Sequence, residues 1–138
     1  MIEIVIEGQA CAKERPRLGR RGRVYTPPRT RAYAARIAAA GRRAMIGRAP
    51  LTGPVRIEVV WRRAAPTSWS KARRLAALQG LERPTKRPDA DNIIKAVADA
   101  LNGIAWIDDA QIVEIDFRSI YAESDSEGLT LRIFALCV

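Results

Sequence analysis

The chain has 138 residues, 48% hydrophobic and 28% charged, which suits one soluble globular domain with a core of its own. It carries 24 Lys/Arg against 15 Asp/Glu, no histidine and two cysteines. That inventory excludes His-based nucleases, Ser-His-Asp triads, His-ligated zinc and a disulfide framework, and any metal must be a hard cation held by carboxylates.

Ile2, Ile4 and Ile6 alternate with Glu3, Val5 and Glu7, the pattern of a half-buried strand ended by Gly8. This start has no basic n-region and no long apolar run, so no signal peptide or membrane span is expected, and the reducing cytoplasm is the expected location. Lys13 to Arg23 reads as a basic, irregular stretch because Pro16, Gly19 and Gly22 punctuate it; Cys11 beside it reads as an incidental thiol. Thr30 is the expected N-cap of a helix reaching about Ile46, with Tyr33, Ile37, Ala40 and Ala44 as its apolar stripe. Val55, Ile57, Val59 and Trp61 mark a second strand, and Ser68 is the expected cap of a short helix closing near Gly80.

A Pro-rich basic linker, residues 83–88, is expected to be extended, since residues before Pro avoid the α region. The central helix is expected from about Asp91, as N-cap, to Asn102, with Gly103 at C′ and Ile94, Val97, Ala98 and Leu101 buried. Trp106 reads as core. A long strand follows with Val113, Ile115, Phe117 and Tyr121 on one face, then a loop from Glu123 to Gly128 and a last strand through Leu129, Leu131 and Ile133. Trp69 and Tyr25 read as half-buried packing among Arg and Lys. Four strands and three helices make an α/β (α+β) domain, single and compact, with a mixed, mostly antiparallel sheet.

Charge is segregated along the chain. Residues 1–87 hold 21 Lys/Arg and 5 Asp/Glu, a balance of +16; residues 88–138 hold 3 and 10, a balance of −7. An arginine-rich proteome accounts for twenty Arg against four Lys but not for this segregation. A basic body with a concentrated acidic segment fits a protein that gathers phosphates around a metal. The acidic segment is Arg87-Pro88-Asp89-Ala90-Asp91-Asn92-Ile93-Ile94-Lys95, followed by Trp106-Ile107-Asp108-Asp109-Ala110-Gln111. Asp89 and Asp91 sit where linker becomes helix, and Lys95 lies four residues on, on the face of Asp91. With Asp99 and Asn102 these form a stripe beside the buried one, in which Asp99 reads as a partner for Lys95 or part of a local network. A carboxylate from the Asp108-Asp109 pair is expected to join Asp89 and Asp91. Such a set suits Mg²⁺, with Mn²⁺ able to substitute, and metal-assisted phosphodiester hydrolysis. The structural alternative is that Asp91 is only a helix cap. For DNA, the cations Lys13, Arg15, Arg17, Arg20, Arg21 and Arg23 suit backbone phosphates, with no base-reading motif beside them.

These residues resemble the RusA family of Holliday junction resolvases, small endonucleases of bacteria and prophages. The resemblance rests on the Pro88-Asp89-Ala90-Asp91-Asn92 run, Lys95, Asp99-Ala100-Leu101-Asn102-Gly103 and Asp108-Asp109-Ala110-Gln111-Ile112-Val113, all in order and spacing. Lys13-Glu14-Arg15-Pro16-Arg17 and Val24-Tyr25-Thr26-Pro27 are similar to the family's early segment. Residue by residue, it implies that Asp89, Asp91 and Asp109 bind the metal and that Lys95 is the catalytic lysine. Asp109 is preferred to Asp108 because the family's third carboxylate is the second Asp of the pair. It further implies a homodimer, magnesium dependence and paired symmetric nicks in four-way junctions. Ala90 departs from the family, where a bulkier apolar residue is commoner, and the match constrains residues 62–83 poorly. From another class, the competing reading is a non-enzymatic architectural or regulatory DNA-binding protein. A third is a nuclease for flaps or RNA–DNA hybrids.

Overall fold

The computed structural model describes residues 1–11, 17–25, 27–86 and 88–137. Strand β1 (Ile2–Glu7) alternates buried and exposed residues without a break, as its sequence requires. It pairs antiparallel with β6 (Gly128–Ala135), which pairs antiparallel with β4 (Val55–Ala64). Strand β5 (Ile112–Ala122) lies parallel to β4, giving a mixed sheet of order β1-β6-β4-β5. The crossover that parallel pairing demands is the segment between β4 and β5, which contains helices α2 (Lys71–Leu78) and α3 (Ala90–Ala100).

The register aligns Ile4, Leu131, Val59 and Phe117 across all four strands. One sheet face is therefore continuous hydrocarbon: Ile2, Ile4 and Ile6, then Leu129, Leu131 and Ile133, then Val55, Ile57, Val59 and Trp61, all buried. Helix α1 (Pro28–Ala44) supplies Tyr33, Ile37 and Ala40 to the core, and α3 supplies Ile93, Val97 and the adjoining Leu101. The two helices meet closely at Gly41, where a Cβ would collide with Leu101 Cδ2, so glycine is needed there despite its poor helix propensity. Gly103 ends the α3 turn in the left-handed region, φ 77°.

Several element boundaries differ from expectation, each for a local reason. α1 begins at Pro28, with Pro27 at the cap position, because proline at N1 lacks only an N–H that has no partner there anyway; Thr30 is buried inside the first turn. Ser70, not Ser68, caps α2, its side chain accepting from Arg73 N at 3.2 Å. Asp89, not Asp91, occupies the N-cap position of α3, since Ala90 is a strong helix former and joins the first turn. Ile93 rather than Ile94 is fully buried, centring the apolar face on Val97. Within the expected irregular stretch Arg17–Leu18 forms a short strand, β2, which pairs with β3 (Val24–Tyr25) just beyond it as a two-stranded ribbon, the two joined by a 3₁₀ turn at Arg20–Gly22. Tyr25 in it is exposed, not half-buried.

The largest departure concerns β5. Val113 and Ile115, expected on one face with Phe117 and Tyr121, are 59% and 48% exposed. β5 is an edge strand, and α2 covers its C-terminal half, where Trp69 packs edge-on against Tyr121 at 5.2 Å. Among the described residues no helix is long and apolar enough to cross a membrane.

Candidate active site

The exposed side of α3 carries most of the candidate site residues. Burial of Ile93, Ala96 and Val97 turns Asp91, Lys95 and Asp99 outward to water, with Asp89 at the helix start also exposed. Although Asp89 holds the N-cap position, its side chain makes no capping hydrogen bond. Among the described residues, the side chains of Asp89, Asp91 and Lys95 enter no hydrogen bond or ion pair, so two carboxylates and an ammonium stand unengaged on one helix. The positive end of the helix dipole favours carboxylates there. The charge of Asp99 acts on Asp109.

The turn after α3 is built by two hydrogen-bonding residues. Trp106 is fully buried, as expected, and its indole Nε1 donates to Asn102 Oδ1 at 3.0 Å. Gln111 Oε1 accepts from Ile107 N at 2.8 Å and Asp108 N at 2.9 Å. Its Nε2 donates to the Leu51 carbonyl at 2.7 Å and the Gly53 carbonyl at 2.9 Å. Asp108 caps the 3₁₀ turn Asp109–Gln111 in return, accepting from Ala110 N at 3.1 Å. Asp108 is thus committed to the backbone of this turn, and its carboxyl also shares a hydrogen bond with that of Asp109.

Their titration follows. The Ala110 N–H, and then a hydrogen bond with Asp109, hold the Asp108 carboxyl below the usual range. Asp109 is pushed up, first by that shared hydrogen bond with Asp108, then by desolvation and the charges of Asp108 and Asp99. A divalent cation relieves repulsion of this kind.

The sequence-expected ligands fall at two ends of α3. Asp89 and Asp91 lie at its start, and Asp109 lies beyond its end near Asp99. From Asp91 to Asp99 is eight residues, about 12 Å of helix rise. Among the described residues no group of three or more His, Cys, Asp or Glu side chains is close enough to hold a metal. The donor chemistry nevertheless fits a hard cation: every candidate ligand is a carboxylate, and the pair at the helix start is unengaged.

Of the expected DNA-binding cations, Lys13 and Arg15 lie outside the described residues. Arg17, Arg20, Arg21 and Arg23 are exposed on the ribbon, with Arg20 and Arg21 in its tip and Arg21 in the left-handed region at φ 63°. Two further residues escaped sequence reasoning. Gln111 had a readable signal, an Asp followed three residues later by Gln, which is a capping box. Arg63 had none: it stacks over Trp61 at 4.3 Å and donates to the Lys86 carbonyl at 2.7 Å, tying β4 to the segment before α3.

A two-layer α/β domain with an outward Asp/Lys row and a cationic ribbon is laid out as a phosphodiester-acting enzyme. The family model described as endodeoxyribonuclease RusA matches residues 7–133, and the chain belongs to the RusA family, endonucleases that resolve Holliday junctions. It is also 34% identical over 139 residues to "Uncharacterized protein YqaN" of Bacillus subtilis (strain 168), with 95% of each chain covered.

Proposed function

We propose that this protein is a divalent-metal-dependent endonuclease that resolves four-way DNA junctions by paired, symmetric nicks, acting as a homodimer in the cytoplasm. The observation that carries the reading is the unengaged Asp89–Asp91–Lys95 set on the exposed side of α3, in a chain of net charge +9. Asp89, Asp91 and Asp109 would hold Mg²⁺, with Mn²⁺ an adequate substitute. When bound, the metal polarises the phosphate and lowers the pKa of a water. Lys95, one turn from Asp91, offsets charge building on the phosphorus centre. Asp108 positions Asp109 through the turn it caps. The ribbon arginines, with Lys13 and Arg15, grip backbone phosphates and so favour shape over sequence. Two copies related by a two-fold axis match a junction of pseudo-two-fold symmetry and account for paired cuts.

The test is a synthetic four-way junction against a linear duplex of the same arms, each with Mg²⁺ or EDTA. Symmetric nicks in the junction alone, and only with Mg²⁺, are the expected result. Tight junction binding without cleavage by folded, dimeric protein would replace this reading with an architectural one.

A further inference from the structure

The homodimer proposed above requires a surface, and β5 offers one. Among the described residues β5 bonds to β4 along one side only, so its other side is an unpaired edge over an 11-residue strand. Natural sheets rarely leave so long an edge unprotected. The N-terminal half of this edge is apolar and open, with Val113 59% and Ile115 48% exposed, next to Ile107 at 61%. Its C-terminal half is roofed by α2, whose Leu75 and Leu78 are themselves exposed.

We infer that two copies pair antiparallel along β5 about a two-fold axis at Phe117, joining their sheets into one of eight strands. In this register Asp116 of each copy faces Arg118 of the other, and the two Phe117 rings adjoin. Within one chain Arg118 Nε already lies 3.6 Å from Asp116 Oδ1, and the pairing makes the same ion pair between copies. Centring on Asp116 instead would set that carboxylate against itself, and centring on Ile115 would oppose Glu114 and Asp116.

The two halves of the edge are also complementary. Antiparallel pairing brings the uncovered half of one β5 beside the roofed half of the other, with Val113 facing Tyr121 and Ile112 facing Ala122. A groove of about 610 Å³ between α2 and the turn after β5, floored by Leu75, Leu78 and Ala122, then lies beside the second copy's Ile107. The opposite sheet edge, β1, does not compete: its outward charges, Glu3 and Glu7, are both acidic, so self-pairing about Val5 would oppose like charges.

This inference rests on the proposed reading only for self-association. Sedimentation equilibrium of the wild-type chain is expected to give twice 15.3 kDa. The double variant D116C/R118C places both cysteines on the exposed sheet face and is expected to cross-link at least tenfold faster under mild oxidation than wild type, whose Cys11 and Cys137 set the background. V113E/I115E is expected to weaken the dimer at least 100-fold with unchanged circular dichroism. A monomeric wild type that still nicks junctions would overturn this interface and leave the nuclease assignment standing. A dimer that neither cross-links through 116 and 118 nor responds to V113E/I115E would overturn the interface alone. Fast cross-linking through Arg118→Cys by itself would overturn the register.

Discussion

On the proposed reading, single side chains decide whether this protein cuts or merely binds. Asp89→Asn, Asp91→Asn and Asp109→Asn each keep size and hydrogen-bonding capacity while removing a charge that, on the proposed reading, would hold the metal. Metal Lewis-acid assistance contributes several kcal/mol, so each change is expected to slow junction cleavage by about 10³-fold or more. Junction affinity should hold in a gel-shift assay at fixed salt, because these residues are not the phosphate-binding cations. A variant that loses binding together with its fold would void the catalytic assignment for that residue. Tyr33 raises a separate matter. Its hydroxyl is buried without a hydrogen-bond partner among the described residues, and burial pushes its pKa up to about 12, with Arg36 opposing and Cys11 adding slightly. The folded state therefore keeps Tyr33 neutral where the unfolded chain, titrating near 10, ionises. That contribution is intact below about pH 10 and lost as pH rises towards 12, roughly 2–3 kcal/mol in all. Tyr33→Phe is expected to lose this slope and to match or exceed wild type at pH 8, as denaturant titrations at pH 8 and pH 11 would reveal.

At the scale of elements, the turn after α3 depends on Gln111. Four hydrogen bonds converge on its amide and tie residues 107 and 108 to the carbonyls of 51 and 53. Gln111→Ala strands two donors and two acceptors and is expected to cost about 2–4 kcal/mol, a fall in Tm of about 5–15 °C. A thermal shift under 2 °C would mean that water replaces these bonds without loss. Strongly periodic elements such as β1 and β4 were readable because one face of each is buried throughout. The outward row on α3 was readable for the same reason, since a buried stripe fixes what lies beside it. Helix starts were less so, because Pro27-Pro28 competed with Thr30, and Ala90 drew the first turn past Asp91. The exposure of Val113 and Ile115 was hidden from any local pattern. Alternation states which face a residue takes, whereas cover depends on where α2 lies, and that is a property of the crossover.

The whole molecule must bring a polyanion to an acidic site, which would repel DNA if it acted alone. On the proposed reading, segregation of charge resolves this: cations on the ribbon and body would bind the arms, while the carboxylates of α3 would take a metal counter-ion. The topology explains why the spatial disposition of the carboxylates was not legible in sequence order. Asp89 and Asp109 bracket α3, and a helix between two ligands holds them apart unless the chain folds back, which spacing alone does not specify. Binding by the ribbon is testable without cleavage. For duplex arms, log affinity falls against log salt with a slope of about 0.9 per phosphate neutralised. Arg20, Arg21 and Arg23 are exposed on the ribbon, so R20A/R21A/R23A should reduce that slope by up to about 2.7 if each grips one phosphate. Asp91→Asn should leave the slope as in wild type. Fluorescence anisotropy of a labelled junction between 50 and 200 mM salt, in EDTA to prevent cutting, gives both slopes directly. An unchanged slope in the triple variant would remove the ribbon from the DNA path and transfer the phosphate contacts to other cations, beginning with those exposed on α1. A reduced slope with normal nicking at low salt would separate the two tasks, grip and cut, that the charge segregation assigns to different parts of the chain.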